Sequence, residues 1–93
     1  MRARKFSNVW DAIEPIPEKA AQLKARATLM TALRDHIHKA RWTQAEAARR
    51  LGVTQPRIST LMRGRLSLFS LDTLVEMATA AGLRVEIKVR RVA

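Results

Sequence analysis

The amino-acid sequence predicts a mainly helical domain of about four helices, followed by one β-strand at its C-terminal end. Three observations support this prediction. Apolar residues recur every three or four positions, capping residues bound these periodic segments, and the final segment instead alternates apolar and charged residues. With 93 residues, 47% of them hydrophobic, the chain is long enough for one hydrophobic core and short for two.

The first predicted helix follows a pair of prolines. Pro15 and Pro17 disfavour helix through residue 16, because the residue before a proline avoids the helical region. They therefore separate residues 1–17 as an N-terminal arm. An amphipathic helix is predicted over about residues 18–40. Its apolar face comprises Leu23, Ala27, Met30, Leu33 and Ile37.

The second predicted helix has a capping box at its start. The hydroxyl of Thr43 can accept a hydrogen bond from the amide of Glu46, while the Glu46 side chain reaches back to the cap. This helix runs to Leu51. It ends at Gly52, because glycine enters the left-handed conformation of a C-terminal cap without steric cost.

Two further helices begin at similar caps. Thr54 is a good N-cap, and Pro56 falls in the first turn, where its missing amide hydrogen costs nothing. That helix ends before Gly64. Ser70 caps a fourth helix, which Gly82 ends.

Residues 83–89 alternate strictly between apolar and charged, which predicts a half-buried β-strand. One strand cannot stand alone, because its backbone donors and acceptors need a neighbour. That neighbour is either the same segment of a second copy, paired antiparallel about a two-fold axis, or residues 1–13. We favour the second copy, with contributions from the helix at 70–82. The side chains predicted to hold this homodimer are Val85, Ile87 and Val89.

The chain is strongly basic, since 18 Lys+Arg against 8 Asp+Glu give a formal net charge of +10. Residues 43–66 carry five arginines and a single acidic residue, Glu46. This concentration of positive charge favours a polyanionic partner, nucleic acid before an anionic membrane. The absence of cysteine excludes disulfides, thiolate zinc sites and iron–sulfur clusters, and it suits the reducing cytoplasm. No apolar run approaches the roughly 20 residues that span a bilayer.

Residues 43–63 meet the physical requirements of a helix-turn-helix. The two short helices share a tight turn at residues 52–54, and Ala48 is small where the helices must cross closely. Polar side chains remain outward on the second helix, and most of them can hydrogen-bond or bind phosphate. The apolar contacts that would fix the interhelical angle come from Leu51, Val53, Ile58 and Leu61.

This motif, TQAEAARRLGVTQPRISTLMRG, resembles the Cro and lambda-repressor type of helix-turn-helix, the XRE-like group. The resemblance implies a lambda-repressor-like bundle that binds DNA. Residues 6–10, 64–71 and 83–89 also resemble the small HigA-type antitoxins of bacterial toxin–antitoxin operons. Such proteins repress their own operon and neutralise a RelE-like or HigB-like toxin that cleaves mRNA. The implied partners are a palindromic operator in double-stranded DNA, a second copy and a toxin protein, in the cytoplasm at the nucleoid.

The resemblance also assigns roles to individual residues of the motif. Gln55 matches a glutamine that reads adenine through its amide, and Gln44 matches one that contacts backbone phosphate. Arg57 stands where a small residue is usual and can read guanine or take a phosphate, whereas Pro56 offers only an apolar contact. The residues predicted to read bases are Gln55, Pro56, Arg57, Ser59 and Thr60. The residues predicted to contact phosphate are Thr43, Gln44, Arg49, Thr54, Arg63 and Arg65, although Arg49 and Arg65 would serve equally well as solvated surface charge.

Other hypotheses remain open at this point. A stand-alone repressor of phage or prophage type would carry the same motif without a toxin partner. A basic protein-interaction module would bind an acidic protein rather than DNA. An enzyme is not expected, because nothing in the sequence places a nucleophile, a base and an orienting group together. No metal or other cofactor is expected either, since His36 and His38 lie two residues apart on a helix and so point to different faces.

The sequence therefore predicts three regions. Residues 1–17 form the arm, residues 18–82 form the helix-turn-helix DNA-binding domain with its motif at 43–63, and residues 83–93 form the dimerisation strand and tail. Trp42, just before the Thr43 cap, is predicted to pack on Ala47 rather than to stack on a base.

Overall fold

The computed structural model describes residues 17–92, which form four α-helices and one short 3-10 helix. The N-terminal arm before residue 17, and with it the rival strand partner at 1–13, lies outside the described residues. The four predicted helices are confirmed to within a few residues. Their bounds are Pro17–Ala40 for α1, Gln44–Leu51 for α2, Gln55–Met62 for α3 and Leu71–Ala80 for α4, with the 3-10 helix at Leu66–Leu68. No helix in this part of the chain is long and apolar enough to cross a membrane.

Three side-chain caps fix where α2, α3 and α4 begin. The hydroxyl of Thr43 accepts a hydrogen bond from the amide of Glu46 at 3.0 Å. Thr54 and Ser70 cap α3 and α4 in the same way, each accepting from the amide three residues later. Each cap satisfies one of the amide groups that a helix leaves unpaired at its N-terminus. The caps are local in sequence, so the helix starts follow directly from the residue types.

The predicted capping box at α2 forms only in part. Glu46 does not reach back to the cap. Its carboxylate instead accepts a hydrogen bond from Nε of Arg50 at 3.0 Å and lies 3.7 Å from Arg49. Two arginines within one helical turn outcompete the neutral backbone amide for this carboxylate, because hydrogen bonds between charged groups are stronger.

A single core joins the helices. α1 packs mainly against α4, and α2 packs mainly against α3. Trp42 is half-buried against the core and meets the ring of His36 edge-on, with 5.1 Å between centroids. Trp42 therefore packs within this fold and is not presented for stacking on a base. The largest fully buried side chains are Leu33, Ile58, Leu61, Phe69 and Leu74.

The strand predicted at residues 83–89 is not formed in the single chain, and this part of the prediction is wrong for the isolated protomer. Residues 83–92 have no regular secondary structure, and among the described residues no backbone group pairs with residues 84–92. Leu83 and Val85 pack against the core, whereas Ile87 and Val89 are 78% and 89% exposed. The alternation specifies a face for each side chain, but a strand also requires a hydrogen-bonding neighbour, which this part of the chain lacks.

Candidate nucleic-acid interface

The α2–α3 pair forms a helix-turn-helix with a rigid turn. Gly52 adopts the left-handed conformation with φ of 70°, and its amide donates to the carbonyl of Ala48. The amide of Val53 donates to the same carbonyl at 3.0 Å. Ala48 and Leu51 on α2 pack with Ile58 on α3 in the core, which fixes the angle between the helices.

The outward surface of α3 carries most of the predicted base-reading residues. Gln55 and Pro56 are exposed at the first turn, and Ser59 and Thr60 follow half-buried one turn later. Residues four apart on a helix share a face, so Gln55 lies above Ser59 and Pro56 above Thr60. The hydroxyl of Thr60 donates to the carbonyl of Pro56 at 3.0 Å, which leaves its oxygen lone pairs as acceptors.

Arg57 differs from the other predicted base-reading residues, because its side chain is held within the protein. Its Nη1 donates to the carbonyl of Leu68 at 3.1 Å, and its guanidinium carbon lies 4.2 Å from the centroid of the Phe69 ring. Arg57 is half-buried as a result. A guanidinium in this position links α3 to the chain that leads into α4.

A second arginine, which the sequence did not single out, binds the same chain segment. Arg26 on α1 donates from Nη1 to the carbonyl of Phe69 at 3.4 Å. The consecutive carbonyls of Leu68 and Phe69 are thus bound by arginines from two different helices. This contact could not be predicted from the sequence, since any residue type offers a backbone carbonyl and Arg26 lies 43 residues from Phe69.

The predicted phosphate-contacting residues lie at the ends of α2 and α3. Thr43 and Gln44 are exposed at the start of α2, and Thr54 is exposed at the start of α3. Helix N-termini attract anions through unpaired amides and the helix dipole. Arg63 and Arg65 are exposed just after α3.

Two neighbouring arginines on α2 differ in availability. The side chain of Arg49 is 72% exposed and makes only a long contact to Glu46. Arg50 is more engaged, because it pairs with Glu46 at 3.0 Å and lies 4.8 Å from the centroid of the Trp42 ring. Arg49 is therefore the better placed of the two for a phosphate.

The chemistry of this surface suits an anion. Among the described residues no polar or charged side chain is buried, and no group of three or more His, Cys, Asp or Glu side chains could hold a metal ion. Between residues 43 and 66 the only acidic side chain, Glu46, is already paired with arginine. What remains is a set of hydrogen-bonding and cationic groups on α3 and at the ends of α2 and α3, whose charge is complementary to that of nucleic acid.

Comparison with known proteins agrees with this geometry. Residues 14–90 match the sequence profile of a family described as a helix-turn-helix domain. Among solved structures, the chain is similar to one named "Putative XRE Family Transcriptional Regulator", with 36% sequence identity and a TM-score of 0.73. The match covers 80% of this chain and 83% of that one. No curated protein matches the chain.

Proposed function

The chain belongs to this helix-turn-helix domain family, and from that premise we propose that it is a DNA-binding transcriptional repressor that recognises a specific operator. One observation carries the proposal. Gln55 stands exposed at the first turn of α3, on a helix whose angle to α2 is fixed by buried contacts. That is the position from which the N-terminal part of a recognition helix reaches base edges in the major groove.

In the proposed complex, the residues divide into those that read bases and those that contact the backbone. The amide of Gln55 donates and accepts at the edge of an adenine, and Ser59 and Thr60 offer single hydrogen bonds one turn later. Gln44, Arg49, Arg63 and Arg65 surround this face and bind phosphates, which orients the helix without reading sequence. Arg57 reaches DNA only by leaving its contacts with Leu68 and Phe69.

We propose that two copies act together on a palindromic operator. The two recognition helices of a two-fold dimer meet successive major grooves when they lie roughly 34 Å apart. Residues 83–89 are the proposed link between the copies, because their alternating pattern lacks a partner within the described part of the chain. Such a repressor works where its operator lies, in the cytoplasm at the nucleoid.

We further propose that the repressor is the antitoxin of a toxin–antitoxin pair and neutralises a RelE-like or HigB-like mRNA-cleaving toxin. The resemblance of residues 64–71 and 83–89 to HigA-type antitoxins supports this. Co-expression with a toxin-like protein of about 100 residues from the neighbouring gene tests it. We expect rescued growth and a stable complex. Repression without rescue would support the stand-alone repressor.

The DNA-binding proposal is tested by a gel shift against the protein's own upstream region. We expect binding that weakens with salt and resists random competitor DNA, and we expect Gln55→Ala to lose that preference. Binding to no duplex would support the protein-interaction module instead. The proposed role needs no catalysis and no cofactor, because base reading and phosphate binding use side chains alone.

A further inference from the structure

An apolar groove runs along one side of the domain, and no residue of α3 lines it. It lies between α1, α4 and the C-terminal segment at residues 83–87. Most of the side chains that line it are apolar, the exceptions being Thr28, Arg84 and Glu86. The apolar ones include Leu29 from α1, Val75 from α4, and Val85 and Ile87 from the segment.

The C-terminal segment that borders this groove has free backbone groups. From residue 84 to residue 92 no backbone group pairs with any described residue. Ile87, Val89 and Val92 are 78%, 89% and 91% exposed. Extended backbone with unpaired donors and acceptors is a template for another strand, and exposed apolar side chains beside it add the surface to be covered.

We propose that a second copy of this chain fills the groove, its residues 83–91 pairing antiparallel with the same residues of the first copy in a register centred on Ile87. This inference rests on the proposed dimeric repressor and specifies its interface. In this register Val85 lies opposite Val89 of the second copy, and Ile87 lies opposite Ile87 of the second copy. These side chains share the face of the ribbon that meets α1 and α4, because alternate residues of a strand point the same way.

Charge favours this register over the neighbouring one centred on Glu86. Centring on Ile87 places Glu86 opposite Lys88 of the second copy, and the two-fold axis repeats the pair. Centring on Glu86 would instead set two glutamates together and put Arg84 opposite Lys88. Opposite charges directly across a strand pair are stabilising, and like charges are destabilising. Arg84 lies opposite Arg90 in the proposed register, at the exposed ends of the ladder, where solvent screens the repulsion.

The test exchanges charges at positions that the single chain does not need. Glu86 and Lys88 are both exposed, so neither substitution disturbs the core. We expect Glu86→Lys and Lys88→Glu each to weaken dimerisation about tenfold in analytical ultracentrifugation, since each replaces two attractive pairs by two repulsive ones. Mixing the two variants should restore association as a heterodimer, and the doubly exchanged chain should dimerise like the unaltered one.

A second pair of variants tests the apolar face. Ile87→Lys places two charges at the centre of the ribbon and should leave a folded monomer. Val92 is also exposed but lies beyond the ladder, so Val92→Lys should leave the dimer intact. A Lys88→Glu chain that dimerises more tightly would overturn the register, because that result belongs to a ladder centred on Glu86. Dimers insensitive to all four substitutions, or a full chain that is monomeric, would overturn the interface.

Binding to a half-site separates this inference from the proposed function. Monomeric Ile87→Lys should still bind a duplex that carries one half of the operator as well as the unaltered chain does. Loss of dimerisation with retained half-site binding supports the interface and the repressor together. If the unaltered chain dimerises as proposed but binds no operator, the proposed interface is supported and the proposed repressor function is contradicted.

Discussion

The guanidinium of Arg57 lies over the ring of Phe69, with its central carbon 4.2 Å from the ring centroid. The same guanidinium donates to the carbonyl of Leu68 at 3.1 Å. Phe69 is 1% exposed, so its ring is held in the core and offers one face to the arginine. The recognition helix is therefore attached to the core through a charged side chain on its outer half, in addition to the apolar contacts on its inner face.

This attachment should contribute to stability. We expect Arg57→Ala to lower the free energy of unfolding by about 1 kcal/mol, because it removes a cation–π contact and a partly exposed hydrogen bond. Urea unfolding measures the loss, and Arg63→Ala is the matched control because its side chain has no described partner. A double-mutant cycle with Phe69→Leu should give a coupling of about 0.5–1 kcal/mol. Zero coupling would show that the ring and the guanidinium do not interact in solution.

The two glutamines of the motif should separate base reading from backbone contact. Gln55→Ala should cost about 1–3 kcal/mol on the operator and spare random DNA, because it removes a bidentate contact to one base. Gln44→Ala should weaken both alike. Fluorescence anisotropy with operator and scrambled duplexes measures the two affinities. An unchanged preference for the operator after Gln55→Ala would show that α3 does not read bases as proposed.

Arg57 should affect operator preference less than Gln55 does. To read a guanine, its guanidinium must first leave Leu68 and Phe69. The energy of those lost contacts offsets part of the binding energy gained from the guanine. The sequence alone could not reveal this, because Leu68 lies 11 residues from Arg57 and accepts through its backbone. By contrast, the starts of α2, α3 and α4 could be predicted, because each cap acts on an amide only three residues away.

The C-terminal segment shows a different limit of the sequence. Its alternation correctly placed Leu83 and Val85 toward the core, whereas Ile87 and Val89 of the same predicted face remain exposed in the single chain. The strand itself was wrong for one chain, because pairing depends on a neighbour that the alternation does not specify. A side-chain pattern thus predicts which residues are suited to burial, while the backbone partner has to be found in the assembly.

The turn of the helix-turn-helix depends on the conformation of Gly52. A Cβ at this position would meet no atom within 4 Å, so substitution brings strain in the backbone and no clash. We expect Gly52→Ala to cost about 1–2 kcal/mol in thermal or urea unfolding, since φ is 70°. Gly52→Asn should cost less, because asparagine tolerates the left-handed region. Equal losses for the two variants would point to a cause other than φ.

The affinity for the operator should depend steeply on salt. If each copy neutralises about four phosphates, a dimer meets about eight, and the slope of log K against log salt should be about −7. Arg65→Ala should reduce the slope by about two, one phosphate per copy. Anisotropy titrations between low and physiological salt measure this slope. An affinity that does not change with salt would rule out DNA as the partner.

Removing residues 83–93 tests whether the tail joins the two copies. The truncated chain loses the packing of Leu83 and Val85, but every fully buried core residue in the described part of the chain lies before residue 79, so we expect a folded domain by circular dichroism. Light scattering at micromolar concentration should give the mass of one chain, against two for the untruncated chain. On the palindromic operator the salt slope should fall to about half, because a single copy meets about four phosphates. A folded truncation that remains a dimer would place the interface elsewhere, since no residue of the proposed ladder would be left to hold it.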